Sequence, residues 1–168
     1  DGEYDLAIAL DCATEARIDA GEECFENAKV TISIDHHESN KMFAEHNFVN
    51  PAAPACAQIL IGIFEYIGID ITKEIGTCIL TGIITDTGGF KYSTISPETF
   101  EFTANLLERG VDVSEIYKKV LQTKTKAHFK LSQLATSRLE FLEDEKVTFT
   151  YITKEDEEKV NAEPGDHE

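Results

Sequence analysis

Two short runs rich in Ile and Val, Leu6–Leu10 and Lys29–Ile34, each end on an acidic residue, Asp11 and Asp35. Neither run alternates cleanly between apolar and polar positions, as a strand with one solvated face does. They read as parallel strands covered on both faces. A chain built this way is confined to an α/β architecture, a parallel sheet flanked by helices. In such sheets ligands gather beyond the carboxyl ends of the strands, and Asp11 and Asp35 stand at that edge.

The helices follow in order. After Pro54, the apolar positions Cys56, Ile59, Leu60, Ile63, Phe64 and Ile67 repeat at helical spacing and stop at Gly68. Thr72 is placed to cap a second helix, whose Ile75, Ile79, Leu80, Ile83 and Ile84 spread too widely around the axis for a surface helix. That spread predicts a buried helix that delivers Asp86 at its end. Ser96-Pro97 opens a third helix running to Gly110, and Asp112 with Glu115 opens a short fourth one through Leu121. A helical segment from about Thr125 to Leu142 should connect to a charged turn at Glu143–Lys146. A half-exposed strand, Val147–Ile152, comes next, then a helix capped by Thr153 and a linker-like tail, Asn161–Glu168. The expected organisation is therefore one partial domain over residues 1–142, then a final strand and linker over 143–168.

Acidic residues outnumber basic ones 32 to 15, a net charge of −17. That field repels phosphate backbones and anionic membranes, so no extended nucleic-acid groove is expected. An anionic substrate would need a local positive charge, which bound divalent ions supply. The longest apolar stretches, Ile59–Ile63 and Ile79–Ile84, are far too short to span a bilayer, and a cytoplasmic protein is expected. Cys12, Cys24, Cys56 and Cys78 lack CxxC spacing and should be reduced, mostly buried thiols. Starting at Asp1 with Met42 as its only methionine, the chain reads as a segment of a longer protein.

Chemistry concentrates in three places: Asp11, the triplet Asp35-His36-His37, and Asp86 within Thr85-Asp86-Thr87-Gly88-Gly89. Together they offer only carboxylate oxygen and imidazole nitrogen, a donor set that suits manganese or magnesium. The segments "LDCA", "IDHHESN" and "TGIITDTGGFKYST" resemble, in order and spacing, the DHH phosphoesterases. This family includes RecJ-like exonucleases, nano-RNases, pAp phosphatases, cyclic-di-AMP phosphodiesterases and family II inorganic pyrophosphatases. The likeness is strongest to the stand-alone nano-RNase and pAp phosphatase branch.

The resemblance implies that Asp11 bridges two ions, Mn2+ or Mg2+, that His36 and Asp86 complete one shell, and that His37 faces the substrate phosphate. Asp35 would orient the histidines. Two adjacent cations lower the pKa of a shared water and neutralise phosphoryl oxygens during attack. The implied substrate is a small nucleotide such as pAp or a short single-stranded oligonucleotide. Pyrophosphate hydrolysis or non-catalytic nucleotide sensing are the alternatives.

Family members also carry an upstream Asp-x-Asp motif, and no Asp-x-Asp occurs in this chain. On that ground weak metal binding and poor turnover are expected of the chain by itself. A sheet lacking the family's first strands would have a bare edge, which a homodimer could cover. The family's C-terminal substrate domain is expected to lie beyond these residues, and Glu163-Pro164-Gly165-Asp166 resembles the linker to it. His46, His128 and His167 match no ligand position and read as surface or structural residues. Phe90 and Tyr92 read as packing residues.

Overall fold

A computed structural model describes residues 4–92 and 95–166, so His167 and the end of the third motif, Ser93-Thr94, lie outside the described residues. The chain divides into two units, Asp1–Val120 and Leu121–Glu168.

The first unit is built on three parallel strands in the order β1 (Ala7–Leu10), β2 (Thr31–Asp35), β3 (His46–Val49). Leu10 pairs with Ile34, and Asp35 with Val49, which brings the strand ends carrying Asp11 and Asp35 to one edge. β3 has little sequence signal, because His46 and Asn47 dilute a run whose apolar residues are only Phe48 and Val49. The mixed α/β class agrees with the reading of the first two strands.

Coverage of both faces holds for β2, where Ser33, Ile34 and Asp35 are all buried, but not for β1. One face buries Ala9 against Phe25 of α1 (Glu22–Glu26) and Ala44, with Phe43 and Ile18 around them. Ile8, Leu10 and Phe48 alternate onto the other face and remain 50%, 46% and 54% exposed. β1 is an edge strand, and α2 (Cys56–Ile67) packs against β2, where Ile34 is buried. The continuous apolar character of β1 therefore reports composition, while its burial alternates.

α2 and α3 keep their expected limits, whereas α1 is not among the helices expected from the sequence. α2 stops at Gly68, whose left-handed φ of 75° suits a residue without Cβ. α3 (Lys73–Asp86) starts at Thr72, whose side chain accepts from Ile75 N. Ile79, Leu80, Ile83 and Ile84 of α3 are all at most 4% exposed. Full burial of such a side chain is worth about 1.5–3 kcal/mol, so α3 is the central support of this unit. α3 also lies very close to α2, since a Cβ on Gly82 would fall 2.8 Å from Ala57 Cβ.

Beyond it, α4 (Pro97–Glu108) opens with a reciprocal Ser96/Thr99 capping box, and α5 (Val113–Tyr117) opens with Asp112 accepting from Glu115 N. α5 passes into a π-helical turn, Lys118–Gln122, instead of ending as one short α-helix.

In the second unit, α6 (Lys126–Ser137) ends before the Leu142 expected from its apolar spacing. Glu140–Leu142 (β4) instead pairs antiparallel with Val147–Phe149 (β5). Three consecutive left-handed residues, Glu143, Asp144 and Glu145 (φ 52°, 52° and 65°), close that hairpin, so turn geometry overrides helical periodicity. α7 (Lys154–Val160) begins with a Thr153/Asp156 capping box. Asp156 is also held by both guanidinium nitrogens of Arg138, at 2.5 and 2.9 Å. His128 Nδ1 lies 3.1 Å from the Asp166 carbonyl, a structural tie, and His46 in the first unit is exposed on β3.

Candidate metal centre

β1 ends at Leu10, and Asp11 turns out of it with a left-handed φ of 61° while its N–H still donates to Ile34 O at 3.0 Å. β2 ends in Asp35, whose side chain is wholly buried. Asp35 Oδ1 accepts from His36 N (2.8 Å), His37 N (3.2 Å) and His37 Nδ1 (2.7 Å), and Oδ2 accepts from Asn40 Nδ2 (2.7 Å). Burial pushes this carboxyl up, but the bonds from Asn40, His37 and the two backbone amides outweigh it and hold the pKa below the ordinary aspartate value.

Each histidine has one ring nitrogen committed. His36 Nδ1 lies 3.2 Å from Ala53 O, and because a carbonyl only accepts, Nδ1 carries the hydrogen. The lone pair of neutral His36 is then on Nε2, which faces Asp11 Oδ1 at 3.3 Å and Asp86 Oδ2 at 3.7 Å. His37 donates Nδ1–H to Asp35, with Asp11 Oδ1 3.7 Å from the same nitrogen. Asp11, His36 and His37 can each offer one ligand atom, all within 4.8 Å of one another.

Asp86 arrives from the end of α3. Thr87, fully buried, anchors that end by donating to Ile83 O at 2.6 Å and accepting from Phe90 N at 3.0 Å. Burial, and after it the charge of Asp11, raises the Asp86 pKa. The five residues read from the sequence, Asp11, Asp35, His36, His37 and Asp86, thus meet at one sheet edge.

This geometry fits a divalent cation. Two carboxylates and an imidazole lone pair converge with no hydrogen between them when His36 is neutral, an arrangement that positive charge relieves. The donors are hard oxygens and borderline nitrogens. Cys56, the nearby thiol, donates to Ile34 O at 3.1 Å, and burial pushes its pKa up to about 11, so it offers no thiolate. Cys12 is half-buried and also raised by burial. The four thiols are free, but Cys24 and Cys78 are exposed, so the expectation of mostly buried cysteines fails.

Sequence reasoning missed Asn40, the Ala53 carbonyl and Cys56. Asn40 stands at the end of "IDHHESN", yet a lone loop Asn carries little signal, and a backbone acceptor such as Ala53 O carries none. Phe90 does pack, stacking on Phe100 at 5.3 Å, whereas Tyr92 is 60% exposed.

Residues 3–83 match the DHH family, N-terminal domain. The bifunctional oligoribonuclease and PAP phosphatase NrnA of Thermus thermophilus is 36% identical over 110 residues, 66% of this chain and 34% of that protein. The probable protein of the same name from Streptococcus mutans is 25% identical over 120 residues, 71% of this chain and 38% of that protein. The crystal structure of an exopolyphosphatase-related protein from Bacteroides fragilis superposes with a TM-score of 0.88 at 29% identity, covering 98% of this chain and 49% of that one. The chain thus spans about a third of the length of these curated relatives. What places this chain beside the DHH family is thus residues 3–83, just under half of its length, which match that family's N-terminal domain.

Proposed function

We propose that this chain carries part of a metal-dependent phosphoesterase centre acting on small nucleotide phosphates, such as pAp, or on short oligonucleotides. The observation that carries the proposal is the convergence of Asp11, His36 and Asp86, with His36 Nε2 left as a lone-pair donor between two carboxylates. The nucleotide substrate class is favoured by the names of the relatives from Thermus and Streptococcus.

In this reading Asp11, His36 and Asp86 hold Mn2+ or Mg2+, two ions when all family ligands are present. Bound there, the cations would supply Lewis acidity and charge neutralisation toward a phosphoryl group. The chain's own residues do the rest. Asp35 accepts the His37 Nδ1 hydrogen, so it is the other ring nitrogen, as Nε2–H of the imidazolium, that would donate to a phosphate oxygen. The Ala53 carbonyl plays the same part for His36, fixing its ring so that Nε2 points between the carboxylates. The net charge of −17 makes a phosphate approach unfavourable except where cations reverse the field.

Titration of Mn2+ into the chain by calorimetry, together with assays on pAp, a ribodinucleotide and pyrophosphate, tests this. Metal uptake that disappears in Asp11→Asn and His36→Ala is the expected result, with nucleotide phosphates preferred over pyrophosphate. Uptake unchanged in those variants would reject the assignment, and activity confined to pyrophosphate would reject the substrate class.

A further inference from the structure

Asp11 carries the left-handed backbone of the centre, and a non-glycine residue there is kept in place only by its surroundings. On one side its N–H is tied to Ile34 O. On the other, the carbonyl of Cys12 accepts from Asn40 Nδ2 at 3.1 Å, and Lys41 N donates to Ala13 O at 3.0 Å. The same Asn40 nitrogen donates to Asp35 Oδ2 at 2.7 Å.

An amide nitrogen has two hydrogens, and here each goes to a different strand-end loop. The orientation of the amide is fixed as well. Asn40 Oδ1 accepts from Met42 N at 2.7 Å, so a flipped amide would set its oxygen against a carboxylate and a carbonyl and its NH2 against an N–H. No side chain with a single donor hydrogen can bridge both acceptors.

We propose that Asn40 is a positioning residue of the candidate centre. Its one nitrogen sets the spacing between the Asp11 turn and the Asp35-His36-His37 loop, and through it the 3.3 Å approach of Asp11 Oδ1 to His36 Nε2. The consequence for metal uptake rests on the function proposed above; the spacing itself does not. Asn40 touches neither the cluster's ligand atoms nor a substrate, and acts through Asp11 and Asp35.

The test compares Asn40→Ala, Asn40→Asp and Asn40→Ser with Asn47→Ala. Asn47 is a half-buried residue of β3 whose amide bonds Ala44 just before the strand, Nδ2 donating to Ala44 O at 2.7 Å and Oδ1 accepting from Ala44 N at 3.3 Å. Two readouts are taken: the Mn2+ dissociation constant from the electron paramagnetic resonance of free Mn2+, and hydrogen exchange without metal at the Asp11 and Lys41 amides, which donate to Ile34 O and Ala13 O. The Asn40 variants should weaken Mn2+ by about tenfold or more, the scale of losing a residue that orients ligands. They should also exchange faster at Asp11 and Lys41, while Asn47→Ala changes neither. Should Asn40→Asp unfold, Asn40→Ser, which keeps one hydrogen, decides the matter.

Mn2+ affinity within twofold of wild type in the folded Asn40 variants would overturn the proposal, as would an equal loss in Asn47→Ala. A wild-type chain that takes up no Mn2+ would overturn the metal reading instead. The exchange measurement, made without metal, would then still decide whether Asn40 holds the Asp11 turn.

Discussion

His37 Nδ1 and Asp35 Oδ1 lie 2.7 Å apart, and the carboxylate that receives this bond has no solvent exposure. One buried charge therefore organises the loop: it takes two backbone N–H groups, one imidazole and one amide, and leaves none of its strong acceptor positions to water. Such a group contributes stability while it is ionised and fully bonded, and removing the charge exposes the cost of burying its partners.

Asp35→Asn should therefore destabilise the first unit by about 3 kcal/mol, because the amide turns one acceptor into a donor facing donors. The sign with pH follows from the lowered pKa. The folded state binds fewer protons than the unfolded one in the acid range, so the contribution is complete above the unfolded aspartate value of about 4 and is lost as pH falls through the lower folded value. Urea unfolding from pH 7 to pH 3 should show a steeper acid loss in wild type than in the variant. Parallel curves would show that Asp35 is not held as an anion.

Two glycines predict opposite signs. Gly82→Ala would put a Cβ 2.8 Å from Ala57 Cβ, between two helix backbones. Overpacking of that kind costs about 1–3 kcal/mol, more than the roughly 1 kcal/mol that alanine gains in helix propensity. Gly62, exposed on α2 with nothing within 4 Å of a new Cβ, should instead become more stable by up to about 1 kcal/mol. Thermal unfolding of both variants checks the pair, and a stabilised Gly82→Ala would mean that α2 and α3 are not in that contact.

Thr153→Ala removes an oxygen that accepts from Asp156 N and donates to Asp156 Oδ2. Loss of such a cap costs about 1 kcal/mol and should fray α7, read as faster amide exchange over Lys154–Glu157. Unaltered exchange would place the hold on α7 elsewhere, in the Arg138 pair with Asp156.

The legible parts of the sequence were those where one residue enforces one geometry. Gly68 ends α2, Thr72 and Thr153 cap their helices, and the acidic residues after two apolar runs mark the sheet edge. The five candidate residues were readable because motif order survives in the letters. What escaped depends on partners far along the chain. β3 owes its existence to pairing with β2, β4 to a hairpin turn closed by left-handed residues, and the exposure of Ile8 and Leu10 to the lack of a neighbour over β1 among the described residues. Asn40 and the Ala53 carbonyl escaped for a related reason: a donor's importance lies in what it reaches, and Cys12 lies 28 positions from Asn40.

Asp86 gives the opposite pH behaviour from Asp35. Burial and the nearby charge of Asp11 raise its pKa, so in the metal-free protein the folded state binds more protons than the unfolded one between the ordinary aspartate value and the raised one. Stability falls as pH rises through that window, and at neutral pH the ionised carboxylate is a standing cost. Asp86→Asn should consequently raise the melting temperature in chelator by a few degrees at pH 7 and leave it nearly unchanged at pH 3. In excess Mn2+ the order reverses: wild type gains stability from binding and Asp86→Asn gains little, since a ligand stabilises only the state that binds it. A variant less stable than wild type in chelator would show that Asp86 serves the fold, and equal gains from Mn2+ would remove it from the cluster that holds the metal.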